Sequence, residues 1–150
     1  MMKIEKEIKQ DKFHSEFQKL AINILFTNQW LTTNTTKILK PFGVSPQQYN
    51  VLRILKGQSP KAISVSNIME RMIDKMSNTS RLVEKLRQKE LIERVICEKD
   101  RRQVDVKITK KGIALLEKVS VEMNSFNTIS ENLSENEAIT INQLLDKMRG

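Results

Sequence analysis

Residues 91–112 read LIERVICEKDRRQVDVKITKKG, and this stretch decides the fold. Val104, Val106 and Ile108 alternate with polar neighbours, the period-two mark of a strand with one buried face. The first run, Leu91 to Ile96, is more apolar, but Ile92, Val95 and Ile96 are β-branched and suit a partner strand. Between the two lies a turn carrying Asp100, Arg101 and Arg102. The unit predicted over 91–108 is a hairpin with a basic tip.

Working backwards, Ser77–Lys89 has helical spacing. Thr79, Leu82, Val83 and Leu86 share one face, while Asn78, Arg81 and Lys85 share the other, with Ser77 placed to cap the start. Ile73–Met76 reads as a turn. Before it, Ser64 caps a helix whose inner face is Val65, Ile68, Met69 and Met72, and Ala62–Ile63 suits a short strand. Further back, Ser45-Pro46-Gln47-Gln48 has the residues of a capping box with Pro in the first turn, opening a helix that carries Val51, Leu52 and Leu55 inward and stops at Gly57. Two short helices across a tight turn, the second polar and basic outward, followed by a basic hairpin, form a winged helix-turn-helix. Such a unit sets one element in the major groove and the other in the neighbouring minor groove, so double-stranded DNA is the expected partner.

The flanks read as helices. Residues 5–39 have one apolar stripe, including Ile8, Phe17, Leu20, Leu25 and Leu31, and Thr32–Thr36 is a weak stretch that suits a break or a loosened turn. Helical spacing returns after Gly112 with Ile113, Leu116, Val119, Met123 and Phe126, and a last helix spans about Ser134–Met148. The fold class is mainly α with a small β-hairpin wing and a helical lobe. Residues 1–40 and 113–150 are assigned to dimerisation and 41–112 to DNA binding. The two ends expose more apolar surface than one chain of this layout covers, and Ile4, Ile8, Met123, Phe126, Ile129, Leu133, Ile141 and Leu145 are candidates for a two-fold interface; an intramolecular core is the alternative.

The net charge is +8, and its placement matters more than its total. Residues 71–111 hold thirteen Lys/Arg against seven Asp/Glu, whereas 112–150 hold three against six. A basic surface centred on the helix and hairpin is the electrostatic footprint of phosphate binding, although a merely solvated lysine-rich face has the same composition. No apolar run approaches the ~18 residues of a membrane span, and MMKIEKEIKQ lacks the core of a secretory signal. The one cysteine, Cys97, excludes an internal disulfide. A cytoplasmic protein is expected. A single His and a single Cys argue against a dedicated transition-metal site, and no cofactor motif is present. GxxxxGK, GxSxG and HExxH are all missing, so catalysis is not expected.

The order of elements, DRR at the hairpin tip and the ITKKG after it together resemble the MarR family of bacterial transcription regulators. The matching residues run from SPQQYNVLRIL through SNTSRLVEKLRQKELIERV and CEKDRRQVDVKITKKG, over about 42–118. The resemblance implies a homodimer on a palindromic operator, often a repressor, with a helical lobe built from both chain ends. It also implies a cleft between the lobes for a small aromatic or phenolic anion. His14, Phe17, Trp30 and Tyr49 are the candidate liners, with ordinary core packing as the other reading of each. One departure stands out. The family usually has Gly after the recognition helix, where this chain has Glu90, so the helix end is expected to be shaped differently. Some relatives sense peroxide through a Cys in the first helix; Cys97 lies in the wing, and that role does not carry over.

For DNA contact, the first turn of the 77–89 helix offers N–H groups and a positive dipole end to phosphate. Ser77, Asn78, Thr79, Ser80 and Arg81 are candidates there, and Arg81 can pair bidentately with guanine. Ser77 as a plain cap and Thr79 as a plain core contact are the structural readings. Lys75, Lys85, Arg94, Lys99, Arg101 and Lys107 suit phosphate contacts or plain surface, with no ranking among them. Arg102 suits the narrow minor groove, with Asp100 holding its guanidinium rather than meeting DNA. A winged helix that binds protein instead of DNA is the rival reading.

Overall fold

A computed structural model describes residues 3–96, 104–125 and 128–150. The chain begins with a single helical turn, α1 (Ile4–Glu7), and a long helix, α2 (Glu16–Leu39). The expected continuous helix over 5–39 is therefore interrupted. Lys9 takes a left-handed φ of 54°, and α2 starts afresh at Ser15, whose hydroxyl accepts the Gln18 N–H. Between Ile8 and Phe17 the apolar stripe holds only Phe13, too little to bury a connecting helix. The break that Thr32–Thr36 suits does not occur. Thr36 donates its hydroxyl to the Thr32 carbonyl at 2.7 Å, and α2 packs on α3 and α6.

A 3-10 turn at Lys40–Phe42 leads into α3 (Pro46–Gln58), with the capping box of Ser45 and Gln48 formed in both directions. Then come β1 (Ile63–Ser64), α4 (Val65–Arg71), α5 (Thr79–Gln88), β2 (Ile92–Ile96) and β3 (Val104–Ile108). The three strands form an antiparallel sheet in the order β1-β3-β2, with Ile63 opposite Val106 and Ile92 opposite Ile108. The helices α6 (Lys110–Ser125), α7 (Thr128–Asn132) and α8 (Glu135–Arg149) complete the chain. The last helix has a second capping box, Ser134 with Glu137.

The core joins α3, α4, α5 and the sheet to the end of α2 and the first half of α6. Leu52, Leu55, Ile68, Leu86, Val106 and Val119 are fully buried in it. Of the predicted inner face of α4, Ile68 and Met72 are buried, but Met69 is half exposed. Gly112 is fixed by space rather than by backbone angle: a Cβ there would lie 2.3 Å from the Leu91 carbonyl oxygen. This close approach seats α6 against the root of the hairpin. Thr109 completes the joint by accepting the Gly112 N–H and donating its hydroxyl to the Glu90 carbonyl at 2.8 Å.

Glu90 corrects the expectation of a differently shaped helix end. It sits at φ 61°, in the left-handed region where Gly is favoured. The Leu91 N–H donates to the Leu86 carbonyl and the Glu90 N–H to the Arg87 carbonyl. That pairing is a Schellman cap, with buried Leu91 packed at the end of the helix it closes. The Lys111 ammonium, 2.7 Å from the carboxylate, holds Glu90 in place and lowers its pKa.

Candidate nucleic-acid interface

The turn before α5 is built by Asp74, which sequence reasoning passed over. One of its oxygens accepts the Met76 N–H at 3.0 Å and the other the Ser77 hydroxyl at 2.8 Å. These bonds, led by that from Ser77, lower the Asp74 pKa. An Asp three residues ahead of a Ser, in DKMS, is the local signal that was available. Ser77 is thus committed to the turn and does not cap the helix. The cap is Asn78, whose side-chain oxygen accepts the Arg81 N–H at 3.0 Å, so the recognition helix begins at Thr79 rather than Ser77.

The expected contacts separate into two sets. Thr79 is only 4% exposed, and its hydroxyl donates to the Ser77 carbonyl, as its reading as a core contact requires. Asn78, Ser80, Arg81 and Lys85 are exposed. Arg81 and Lys85 lie one turn apart, opposite the buried Val83 and Leu86, so the inward face anchors the helix and the outward face is cationic. Lys99, Asp100, Arg101 and Arg102, with Cys97, lie outside the described residues; β2 and β3 that carry them form the expected ribbon.

Between the helix and this ribbon sits Glu84, also absent from the expected set. Arg87 donates from Nε to Oε2 at 3.1 Å and from Nη2 to Oε1 at 2.8 Å. Arg94, on β2, donates from Nη2 to Oε2 at 3.0 Å. The Arg87 bond is the main cause of a lowered Glu84 pKa. On the other flank of α5, Lys89 donates to the Gly43 carbonyl and ties the helix to the start of α3.

A cavity of about 750 Å³ lies beside the turn. Its lining includes Leu31 and Thr35 of α2, Tyr49 and Arg53 of α3, Asp74, and Met123 of α6. Of the four expected liners only Tyr49 is there. Trp30 borders a separate hollow of about 220 Å³ with Ile4 and Phe26. Phe17 is 85% exposed, and His14 is exposed ahead of α2, where its backbone N–H donates to Gln18. The resemblance that suggested the four implied a cleft between lobes but not which turn of α2 borders it; Leu31 and Thr35 of α2 line the cavity, whereas Phe17 lies several turns away. Among the described residues no group of His, Cys, Asp and Glu is placed to hold a metal, and no helix is long and apolar enough to cross a membrane.

A recognition helix, a three-stranded wing sheet and flanking long helices define a winged-helix regulator. The MarR family model matches residues 44–104. The chain is 35% identical over 109 residues to the HTH-type transcriptional repressor MdtR of Bacillus subtilis, covering 73% of this chain and 67% of that one. It is 31% identical over 114 residues to the HTH-type transcriptional regulator PecS of Dickeya dadantii, covering 75% and 69%. This protein belongs to the MarR family of transcription regulators. Solved structures share its fold: a MarR-like regulator from Bacillus cereus (TM-score 0.78, 22% identity, 89% of this chain and 96% of that one) and a mutant MarR from E. coli complexed with operator DNA (TM-score 0.78, 24% identity, 92% and 99%).

Proposed function

We propose that this MarR-family regulator binds a palindromic operator as a homodimer, with α5 in the major groove and the 91–108 wing in the adjoining minor groove. The observation that carries the proposal is the two-faced α5: a buried apolar side and an exposed side bearing Asn78, Ser80, Arg81 and Lys85, next to a two-stranded ribbon. In this reading Arg81 meets a base edge, and Asn78, Ser80 and Lys85 meet phosphate. Ser77 and Thr79 shape the helix start. At the wing tip Arg102 enters the minor groove, Asp100 orients it, and Arg101 meets phosphate. The operator complex of the E. coli relative supports DNA as the partner.

Residues 1–40 and 113–150 form the dimerisation region in this proposal. Phe17, Leu20 and Leu25 on α2, and Ile141, Leu144 and Met148 on α8, are exposed in the single chain. A C2 dimer that covers them presents two recognition helices to two half-sites. Ile4, expected at that interface, is buried within its own chain. A small aromatic or phenolic anion in the cavity beside Asp74 would release the DNA, with Arg53 supplying the positive charge. Repression in the cytoplasm is the mode proposed, in keeping with the named activity of MdtR.

The test is binding of the full-length protein to the DNA upstream of its own gene, and to a shuffled duplex of equal length, at several salt concentrations. Selective binding that weakens with salt is expected, because neutralised phosphates release counterions. Equal weak binding to both duplexes would overturn the proposal and favour a winged helix that binds protein.

A further inference from the structure

The Glu84 carboxylate, shared between a guanidinium of its own helix and one of the wing, points to a role beyond ordinary surface charge. We propose that Glu84 is a positioning residue that locks the recognition helix to the wing, so that the two read DNA as one surface. The inference rests on the proposed DNA-reading role of α5. Among the described residues the Glu84–Arg94 bond, at 3.0 Å, is the ion pair that joins α5 to a wing strand. Glu84 is well placed for this. At about 100° per residue it lies roughly 60° around the helix from Arg81, on the side opposite Lys85. The wing therefore attaches to one flank of the exposed cationic face. Arg94 stands opposite the fully buried Val106 in the ribbon, so the Glu84 bond grips the wing at a rung seated on the core and sets the tilt of the strands beyond it. Arg87 holds the other end of the carboxylate with two bonds and fixes its rotamer, and the Gln88 amide adds a third donor. A carboxylate on this surface repels phosphate. Its presence there calls for a gain, and positional control of the wing is one that its three partners supply.

The effect is modest in the free protein, because solvent screening leaves an exposed pair little net stabilisation. It shows in discrimination, since a wing free to swing meets any duplex equally well, whereas a fixed one rewards only the matching register. The experiment uses the full-length protein, its own upstream duplex and a shuffled duplex, over a salt series. Glu84→Gln is expected to lower the ratio of the two affinities about fivefold, the effect of one surface pair near the top of its usual range, while binding to the shuffled duplex holds or tightens. Arg94→Gln should lower the ratio equally, and the double variant no further than either single one, as expected of one shared interaction. Arg87→Gln should leave the ratio within about twofold. The proposal is overturned if Glu84→Gln tightens both duplexes alike, or if the Glu84 and Arg94 effects add. A wild-type protein that fails to discriminate at all overturns the DNA-reading role itself, a failure visible before any variant is compared.

Discussion

The winged-helix core and the helices at the chain ends are built from the same kind of apolar stripe, yet they end in opposite states. In α3 and α5 the stripe residues Leu52, Leu55, Val83 and Leu86 are buried against neighbours in the same chain. On α2 and α8, Phe17, Leu25 and Leu144 stay exposed, Leu144 at 59%. Helical periodicity shows that a face is apolar; it does not show what covers it. In the middle of the chain short connections bring the covering elements close. At the ends these apolar side chains stay exposed, and a second copy is the cover we propose.

The largest effect that would break this contrast is in the core. Leu52→Ala should cost about 2–5 kcal/mol of stability by leaving a cavity, read by chemical denaturation; a loss under 1 kcal/mol would mean the core is not the stabilising half. On the end helices, Ile141→Glu with Leu144→Glu should leave the fold intact but weaken self-association by about 30-fold or more, the usual scale of an interface centre. Light scattering over a dilution series checks this, and an unchanged mass would place the interface elsewhere. On the DNA face, Arg81→Ala should cost about 1–3 kcal/mol in operator binding with little change in melting temperature; equal loss on a shuffled duplex would reduce Arg81 to a phosphate contact.

Two smaller effects sharpen the comparison. Glu90→Gly should stabilise the winged helix by about 0.5 kcal/mol, because relief of a left-handed side chain outweighs one exposed pair with Lys111. A destabilised variant would show that the Lys111 contact holds the joint to α6. At the chain end, the Ser134 N–H and hydroxyl lower the folded pKa of Glu137 below its ordinary 4.5. A lowered pKa contributes stability above the unfolded value that is lost as pH falls through the folded one, so α8 should loosen on acidification below about 4.5. Glu137→Gln should flatten that acid limb in far-UV melting, and an unchanged limb would assign it to other carboxylates.

The helix caps show where local reading works. The expected box of Ser45 with Gln48 forms, because its partners lie three positions apart within one turn; Ser134 with Glu137, at the same spacing, forms a second box that the sequence reading did not name. The cap of α5 was misplaced by one residue because Ser77 and Asn78 are both competent; Asp74, already engaged with the Ser77 hydroxyl, decides between them. The left-handed cap at Glu90 was hidden for a similar reason. Side-chain type argued against it, but Thr109, Lys111 and the buried Leu91 over-determine it from the far side of the wing.

From its sequence alone this protein is a winged helix-turn-helix with a cationic recognition helix, a hairpin over 91–108 and helical ends, because periodicity and capping act over a few residues. Which aromatic residues reach the cavity and which carboxylate joins helix to wing were decided by tertiary structure. Those outcomes depend on where elements far apart in the chain come to rest, and no local spacing encodes that distance.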